Sequence, residues 1–480
     1  MEQDSQPPQR PQLKKAIGRL GFFSLAFGSM IGVGWITGLE GMFTKAGPLG
    51  TTIAFVAGGM LMIVIGLCYA EAMKRLPVTG GEVAYSYKAH GTGPAFLVGW
   101  CLAIGYLSVS AFEAVSIGIV FSYLVPFDLW PMYEVNGSTV YGSHVFLALL
   151  FTSAIAWMNY RGVGLATQVQ TCLTLLLILF TGAFVAAGFS NGNASHLAPA
   201  FGQTDIGIAL GGMLAVFVTV PFWFVGFDTI PQAAEERTVG FPPARLGKIL
   251  VMAIAGSTLF YVLVFLSVGL ATPWQDIITH EPKIKIPTAV AFEEAFGSTF
   301  WSRLVLLVGL MGLLTSWNGF FLAGCRVLFA LGRGHIIHSR FGKTDPSYGT
   351  PTAAILFCAV ITFAGSLLGE AAILVFLNVG SLCIAAAFLG VACSIHRLRD
   401  SQKRVSLFKR ILPYIAGAGS IFILMAMIVP GSPAMLPWPM EWAVLGGVFV
   451  LGLILWFGAR RIRSEISESD RRQLILDEDD

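Results

Sequence analysis

The chain has 480 residues, of which 55% are hydrophobic and only 12% charged, and its formal net charge is +3. A soluble globular chain carries about 25% charged residues, so this composition excludes a water-soluble domain and describes an integral membrane protein. So small a net charge gives no basis for nucleic-acid binding. The seven cysteines all lie in or beside apolar runs, where they read as small buried hydrophobes and not as a disulfide framework or a zinc site.

Residues 1–19, beginning MEQDSQPPQRPQLKK, are polar and lack the apolar core of a signal peptide, so they are expected to be a disordered tail. A membrane-spanning helix needs about 20 apolar residues. Twelve segments reach or approach that length, at 20–46, 49–73, 95–124, 144–160, 163–189, 206–236, 247–271, 301–333, 351–368, 371–395, 411–429 and 439–459. The stretch 272–300 is too long for a turn and suggests short interfacial helices, and 460–480 forms a second tail. Lys and Arg concentrate on the cytoplasmic side of membrane proteins. With both termini placed inside, 26 of the 30 Lys and Arg residues fall on that side. The expectation is an all-α, multi-pass protein of the cell membrane (plasma or bacterial inner membrane), with both termini cytoplasmic.

Two of these spans carry residues that a simple spanning helix would avoid. Residues 28–36 read GSMIGVGWI, and each glycine costs about 1 kcal/mol against Ala in a helix interior. Within hydrocarbon, irregular backbone survives only where it lines a cavity. Gly32 and Gly34 would let the chain unwind at mid-membrane, so that Ser29, Ile31, Gly32, Val33 and Gly34 present N–H groups and a helix dipole to an anion such as a carboxylate. Close helix packing through small residues is the plain alternative. Residues 221–231 read PFWFVGFDTIP, with Pro221 and Pro231 loosening both ends, Gly226 between them, and Asp228 an acid that must face a polar interior. The first and sixth spans would begin two five-helix halves, and interrupted segments at corresponding positions of two halves point to a midplane binding site. An odd number of spans per half makes the second half inverted. The sequence therefore reads as a transporter.

These residues are also familiar. GSMIGVGWITG followed by AGPLG, YAEAMKRLPVTGGEVAYSY at 69–87, GFDTIPQAAEE at 226–236 and CRVLFALGRG at 325–334 resemble, in order and spacing, the motifs of the amino acid–polyamine–organocation superfamily of transporters. The resemblance implies a ten-helix inverted-repeat core (20–395) with broken helices one and six, two peripheral helices (396–459), and alternating access with an amino acid or amine as substrate. By resemblance Phe222 falls near an aromatic gate over the substrate, with Phe224, Val225, Gly226 and Asp228 beside it. Many relatives carry a Lys in span five that replaces a sodium ion. Here the equivalent position is expected at Leu177, and no Lys stands between Arg161 and Arg237.

Other polar residues raise candidate roles. Glu113 lies mid-span, and an intramembrane acid is functional by default, here as the partner of a substrate amine or as a proton carrier. The plain alternative is a hydrogen bond to another helix. In GLLTS at 312–316, Thr315 and Ser316 with the Gly312 carbonyl form a set of hard oxygen donors on one helical face. In sodium-coupled carriers of this fold such a set meets two carbonyls of the first span, here resembling Gly28 and Ile31, so a Na⁺ site is expected there as the one bound ion, with no other cofactor. Back-bonding of the two hydroxyls to their own helix is the alternative, and proton coupling through Glu113 the rival. Glu40 reads as an outer-vestibule charge, and Glu235 and Glu236 as a latch pairing with Arg237 or Arg245. A substrate exchanger, or a channel or nutrient receptor on the same fold, remains the alternative to cation-coupled uptake. A membrane enzyme is disfavoured because no span has a His in its middle third. No feature assigns an oligomeric state.

Overall fold

The computed structural model describes residues 10–279, 287–399, 406–432 and 434–478. In chain order, the first half contains α1 (Arg19–Met30), α2 (Gly34–Thr37), α3 (Leu39–Arg75), α4 (Gly81–His90) and α5 (Thr92–Leu124). An antiparallel hairpin of β1 (Pro131–Val135) and β2 (Ser138–Tyr141) precedes α6 (Gly142–Arg161) and α7 (Val163–Asn191). Next come α8 (Ile206–Phe217), α9 (Val220–Phe224), α10 (Thr229–Gln232), α11 (Ala244–Ala271), α12 (Trp274–Thr279), α13 (Pro287–Phe296) and α14 (Thr299–Arg333). The last are α15 (Thr352–Ser366), α16 (Ile373–Leu398), α17 (Leu407–Ile428), α18 (Met440–Gly458), α19 (Arg460–Glu465) and α20 (Glu468–Leu476).

The protein is an all-α, multi-pass membrane protein apart from that hairpin. Among the described residues ten helical segments are long and apolar enough to cross a membrane. Two of the twelve expected spans, 206–236 and 351–368, contain shorter apolar helices, Ile206–Phe217 and Thr352–Ser366. At 1.5 Å per residue the second of these is about 22 Å long, less than the hydrocarbon thickness of about 30 Å. The first is short because Pro221 and Gly226 prevent α8, α9 and α10 from joining. The 272–300 stretch does hold two short helices, α12 and α13.

Layering follows hydropathy and small residues. α5 and α14 are buried along most of their length and pack on each other, while α18 buries little of its surface. α3 lies along α11, where Gly59 and Gly66 admit Thr258 and Ile254 too closely for a side chain, and Gly58 of α3 does the same for Val220 of α9. Gly47, at φ +66°, breaks α3 beside Pro48, and a Cβ there would strike the backbone of Ala200–Gly202. That break separates the expected 20–46 and 49–73 segments.

Both ends of the chain are more ordered than expected. Within the N-terminal stretch, Ala16 and Ile17 donate to the Glu236 carbonyl at 2.8 Å, and Thr238 donates to Ile17 at 3.0 Å; residues 1–9 lie outside the described residues. The C-terminal stretch folds into α19 and α20, with Leu474, Ile475 and Leu476 buried. Arg10 donates to the Leu474 carbonyl and pairs with Asp477, so the two ends meet on one face.

Candidate functional site

The centre of the molecule is built where two helices stop. α1 ends at Met30; Ile31 (φ −103°, ψ 87°) leaves the helical region while its N–H still reaches the Phe27 carbonyl. Helix resumes at Gly34, and the N–H groups of Gly32, Val33, Gly34 and Trp35 have no backbone acceptor among the described residues. N–H groups left open at a helix start are what a carboxylate satisfies.

Glu113 comes to this point from α5. A Cβ placed on Gly32 would collide with Glu113 Oε1 and stand 3.2 Å from Ser316 Oγ. The Glu113 carboxylate lies within reach of the Ser316 hydroxyl and the Val33 N–H. Its other oxygen, Oε2, is buried without a hydrogen-bond partner among the described residues. Glu113, Gly32, Val33 and Ser316 therefore form one cluster from three helices, although nothing in their spacing places them together.

The second interruption locks against the first. α9 ends at Phe224, Val225 turns out at ψ 143°, and Gly226 takes φ +126°, a conformation L side chains rarely adopt. A Cβ on Gly226 would lie 2.8 Å from Met30 N and 2.9 Å from the carbonyl carbon of Ser29. Asp228 Oδ1 accepts from the Gly226 N–H at 2.8 Å, so this acid first serves the local turn; its Oδ2 is buried and unpaired among the described residues. The Tyr261 hydroxyl reaches the carbonyls of both Met30 (2.7 Å) and Trp223 (3.1 Å), joining the two interruptions.

The aromatic neighbours differ from expectation by one residue. Trp223, not Phe222, lies on the first interruption: a Cβ on Gly34 would run into its six-membered ring, and its Nε1 is anchored on Thr219 Oγ1 at 2.9 Å. Phe222 points elsewhere, edge-on to Phe112 at 5.5 Å and against Gly380. Phe224 is fully buried between Phe55 and Tyr261, and Val225 is buried beside it. Adjacent residues in a helix point about 100° apart, which is why a one-residue shift changes the neighbour.

The oxygen donors considered for sodium divide between two surroundings. Gly312 faces the Ile31 and Gly32 carbonyls, which a Cβ would approach to 2.9 and 2.8 Å. Ser316 faces Glu113, whereas the Thr315 hydroxyl bonds back to Met311 O (2.9 Å) and Gly312 O (3.0 Å). Gly28 is closed by Thr174 Oγ1 and Gln170 Nε2, 2.5 and 2.8 Å from its Cβ direction, and by Thr315. Ser29 bonds back to Leu25 O at 2.5 Å and packs on Gly319.

A polar ladder, absent from the sequence reading, runs through this region. Asn159 donates to Asn318 Oδ1 (3.1 Å), Asn318 to Gln170 Oε1 (2.9 Å), and Gln170 to the carbonyls of Ser24 (3.2 Å) and Thr315 (3.0 Å). Gln170 and Thr174 of α7 thus hydrogen-bond to α1 at the Ser24 carbonyl, while Leu177, the expected counterpart of the family lysine, is simply buried. The available signal was the presence of amides inside apolar runs, which must find partners there.

On the face holding both ends, the acids choose other partners than Arg237 or Arg245. Glu236 makes a two-pronged pair with Arg326 (3.1 and 2.7 Å), with both side chains fully buried. Glu235 pairs with Arg333 and, at 2.7 Å, with Arg10, and accepts from the Thr79 N–H. Glu40 has no ion-pair partner among the described residues and is half-exposed.

Comparison with known proteins agrees with a transport protein. A profile described as amino acid permease matches residues 17–451. The chain belongs to the amino acid permease family. The permease is 24% identical over 465 residues to the branched-chain amino acid permease BcaP of Bacillus subtilis, covering 95% of each chain. It is 26% identical to the methylthioribose transporter of the same organism, over 81% of this chain and 83% of the relative. It is 24% identical to the amino-acid permease RocC, again from Bacillus subtilis, over 80% of each. The permease is therefore an amino-acid-transport protein of the superfamily expected from its motifs, a secondary transporter of small solutes and not an enzyme.

Proposed function

We propose that the permease carries amino acids or related amines by alternating access, with the meeting point of the two interruptions as its substrate site. In this reading the chain has twelve spans, discontinuous at the first and sixth, arranged as two inverted five-helix halves (20–395) with two peripheral helices (396–459). Both termini lie in the cytoplasm, consistent with the meeting of Arg10 and α20 on one face and with the Lys and Arg distribution. The observation that carries the proposal is the set of N–H groups at Gly32, Gly34 and Trp35 without a backbone acceptor, beside the Val33 N–H on Glu113 and enclosed by Glu113, Ser316 and Trp223. A substrate carboxylate fits those donors, and a substrate amine fits the Glu113 carboxylate.

Coupling through a proton on Glu113 is supported better than coupling through Na⁺. The hydroxyl of Thr315 is bonded within its own helix, Ser316 is turned to Glu113, and the Gln170 amide donates to the Thr315 carbonyl. Glu113, in contrast, has a free buried oxygen able to hold a proton. A net-neutral carboxyl also removes the cost of a buried charge while the site is closed.

Counterflow in proteoliposomes with a panel of labelled amino acids and amines tests the carrier reading. Accumulation of labelled solute against an unlabelled internal pool is expected for at least one compound. Absence of counterflow with measurable conductance would instead indicate a channel. Glu113→Gln keeps the shape but cannot ionise. It should lose uptake driven by a pH gradient far more than exchange, and equal loss of both would limit Glu113 to substrate binding.

A further inference from the structure

A groove of about 550 Å³ lies between the first turns of α1 and α11, away from the central site. One wall carries Arg19, and the other Arg245 and Lys248; no carboxylate among the described residues lines it. All three cations are exposed, and none has an ion-pair or side-chain hydrogen-bond partner among the described residues. This distinguishes them from Arg10, Arg326, Arg333 and Arg399, which are each committed to a carboxylate. The floor of the groove is apolar, made by Leu20, Phe23, Ile249 and Met252. Leu20 and Met252 are 50% and 63% exposed, too much for a packed core but suitable for contact with acyl chains.

The position fits the ligand chemistry. α1 and α11 both begin here, on the face where Ile17 pairs with Arg237, so two helices direct the positive ends of their dipoles into the groove. The N–H groups of Arg19, Leu20 and Gly21 have no backbone acceptor among the described residues. Positive charge stands at the first turns of two apolar helices, and apolar side chains line the groove beside it. Basic pockets of this form between membrane helices suit an acidic headgroup with its tails alongside. A soluble anion would use the cations but not the apolar floor.

We propose that the groove between α1 and α11 is a binding site for an anionic phospholipid, whose phosphate is held by Arg19, Arg245 and Lys248. The lipid bridges the first turn of α1, the helix that ends at the Gly32–Gly34 site, to α11, whose Tyr261 reaches the Met30 carbonyl. It therefore bears on the helix pair around the substrate site while remaining independent of which solute is carried.

The test uses the full chain in neutral detergent micelles, with phosphatidylglycerol, phosphatidylcholine or inorganic phosphate added. Thermal stability and native mass spectrometry are the readouts. Phosphatidylglycerol is expected to raise the melting temperature and to remain bound more tightly than phosphatidylcholine. In R19Q/R245Q/K248Q its apparent affinity should fall at least tenfold, whereas R340Q/K343Q/R460Q, which removes three exposed charges elsewhere, should behave as wild type. Wild-type affinity in the first variant overturns the proposal, and so does an equal loss in the second, which would mean net charge alone. A stability gain reproduced in full by inorganic phosphate overturns the lipid assignment. If the triple variant does not fold, R245Q alone must weaken phosphatidylglycerol binding about threefold, and unchanged binding again overturns the site.

Discussion

Gly226 is the position where one added methyl group should do most damage. Its φ of +126° is one that L side chains rarely adopt, and a residue forced into such a region costs about 1–3 kcal/mol. The Cβ of Gly226→Ala would also stand 2.8 Å from Met30 N and 2.9 Å from Ser29 C, well inside ordinary contact at 3.4–4 Å. These are backbone atoms of the facing interruption, so no rotamer change relieves the contact. Taking about 2 kcal/mol as the penalty on the interlocked arrangement, its population falls about 30-fold against arrangements in which the two interruptions separate. A carrier that must pass through the interlocked arrangement in each cycle would lose at least tenfold in initial uptake. The assay is uptake into proteoliposomes of whichever labelled solute counterflow identifies, normalised to reconstituted protein, with melting temperature measured in parallel. Gly182→Ala in α7 is the control, since a Cβ there meets nothing within 4 Å. Uptake of Gly226→Ala within twofold of wild type, with an unchanged melting temperature, would refute the reasoning, because the interlock would then be neither tight nor part of the cycle.

Three other substitutions address separate parts of the site. Trp223→Ala uncovers Gly34 and should reduce uptake more than Phe222→Ala, and the reverse order would show that the ring on Phe112 is the gate. Replacing external Na⁺ by choline should leave uptake unchanged, and Thr315→Ala should matter little; sodium dependence with a half-saturation shifted by Thr315→Ala would establish the ion site. Arg326→Met leaves Glu236 as an unpaired buried charge and should destabilise the protein by about 3–5 kcal/mol, with Arg326→Met/Glu236→Gln recovering more than half in thermal melts.

Much of the architecture was legible because the bilayer imposes a rule on sequence: apolar runs of about 20 residues with Lys and Arg gathered at one set of ends. The same rule explains where the reading failed. It carries no information on α19 and α20, which lie outside the apolar runs and fold because Leu474, Ile475 and Leu476 find a surface on the rest of the chain. Nor does it predict a hairpin in a polar connection, or that part of the N-terminal stretch pairs with Glu236 and Arg237. At the site, Glu113, Gly32 and Ser316 each stand out alone, as an acid, a glycine and a hydroxyl in apolar surroundings. Their contact is a tertiary fact: three helices must pack before the carboxylate meets the backbone.

Partner choice among polar groups marks the deeper limit. Charge pairing read along the chain favours near neighbours, so Arg237 was the natural partner for Glu236. In the folded protein Glu236 instead takes Arg326, because a fully buried carboxylate needs a cation that is also buried and can offer two donors in fixed geometry. The amide ladder through Asn159, Asn318 and Gln170 follows the same logic with neutral groups, since an amide in an apolar helix must find another amide or a carbonyl. Both arrangements join α14 to elements outside it, the ladder to α6 and α7 and the ion pair to the turn after α10. α14 also carries Ser316 against Glu113, so the helix that completes the candidate site is itself held by buried polar contacts at Asn318 and Arg326. Substrate-linked movement should accordingly fall on α1, α2, α9 and α10, whose helical hydrogen bonding is interrupted between Ile31 and Gly34 and between Val225 and Asp228, while α14 stays fixed as the surface against which they move.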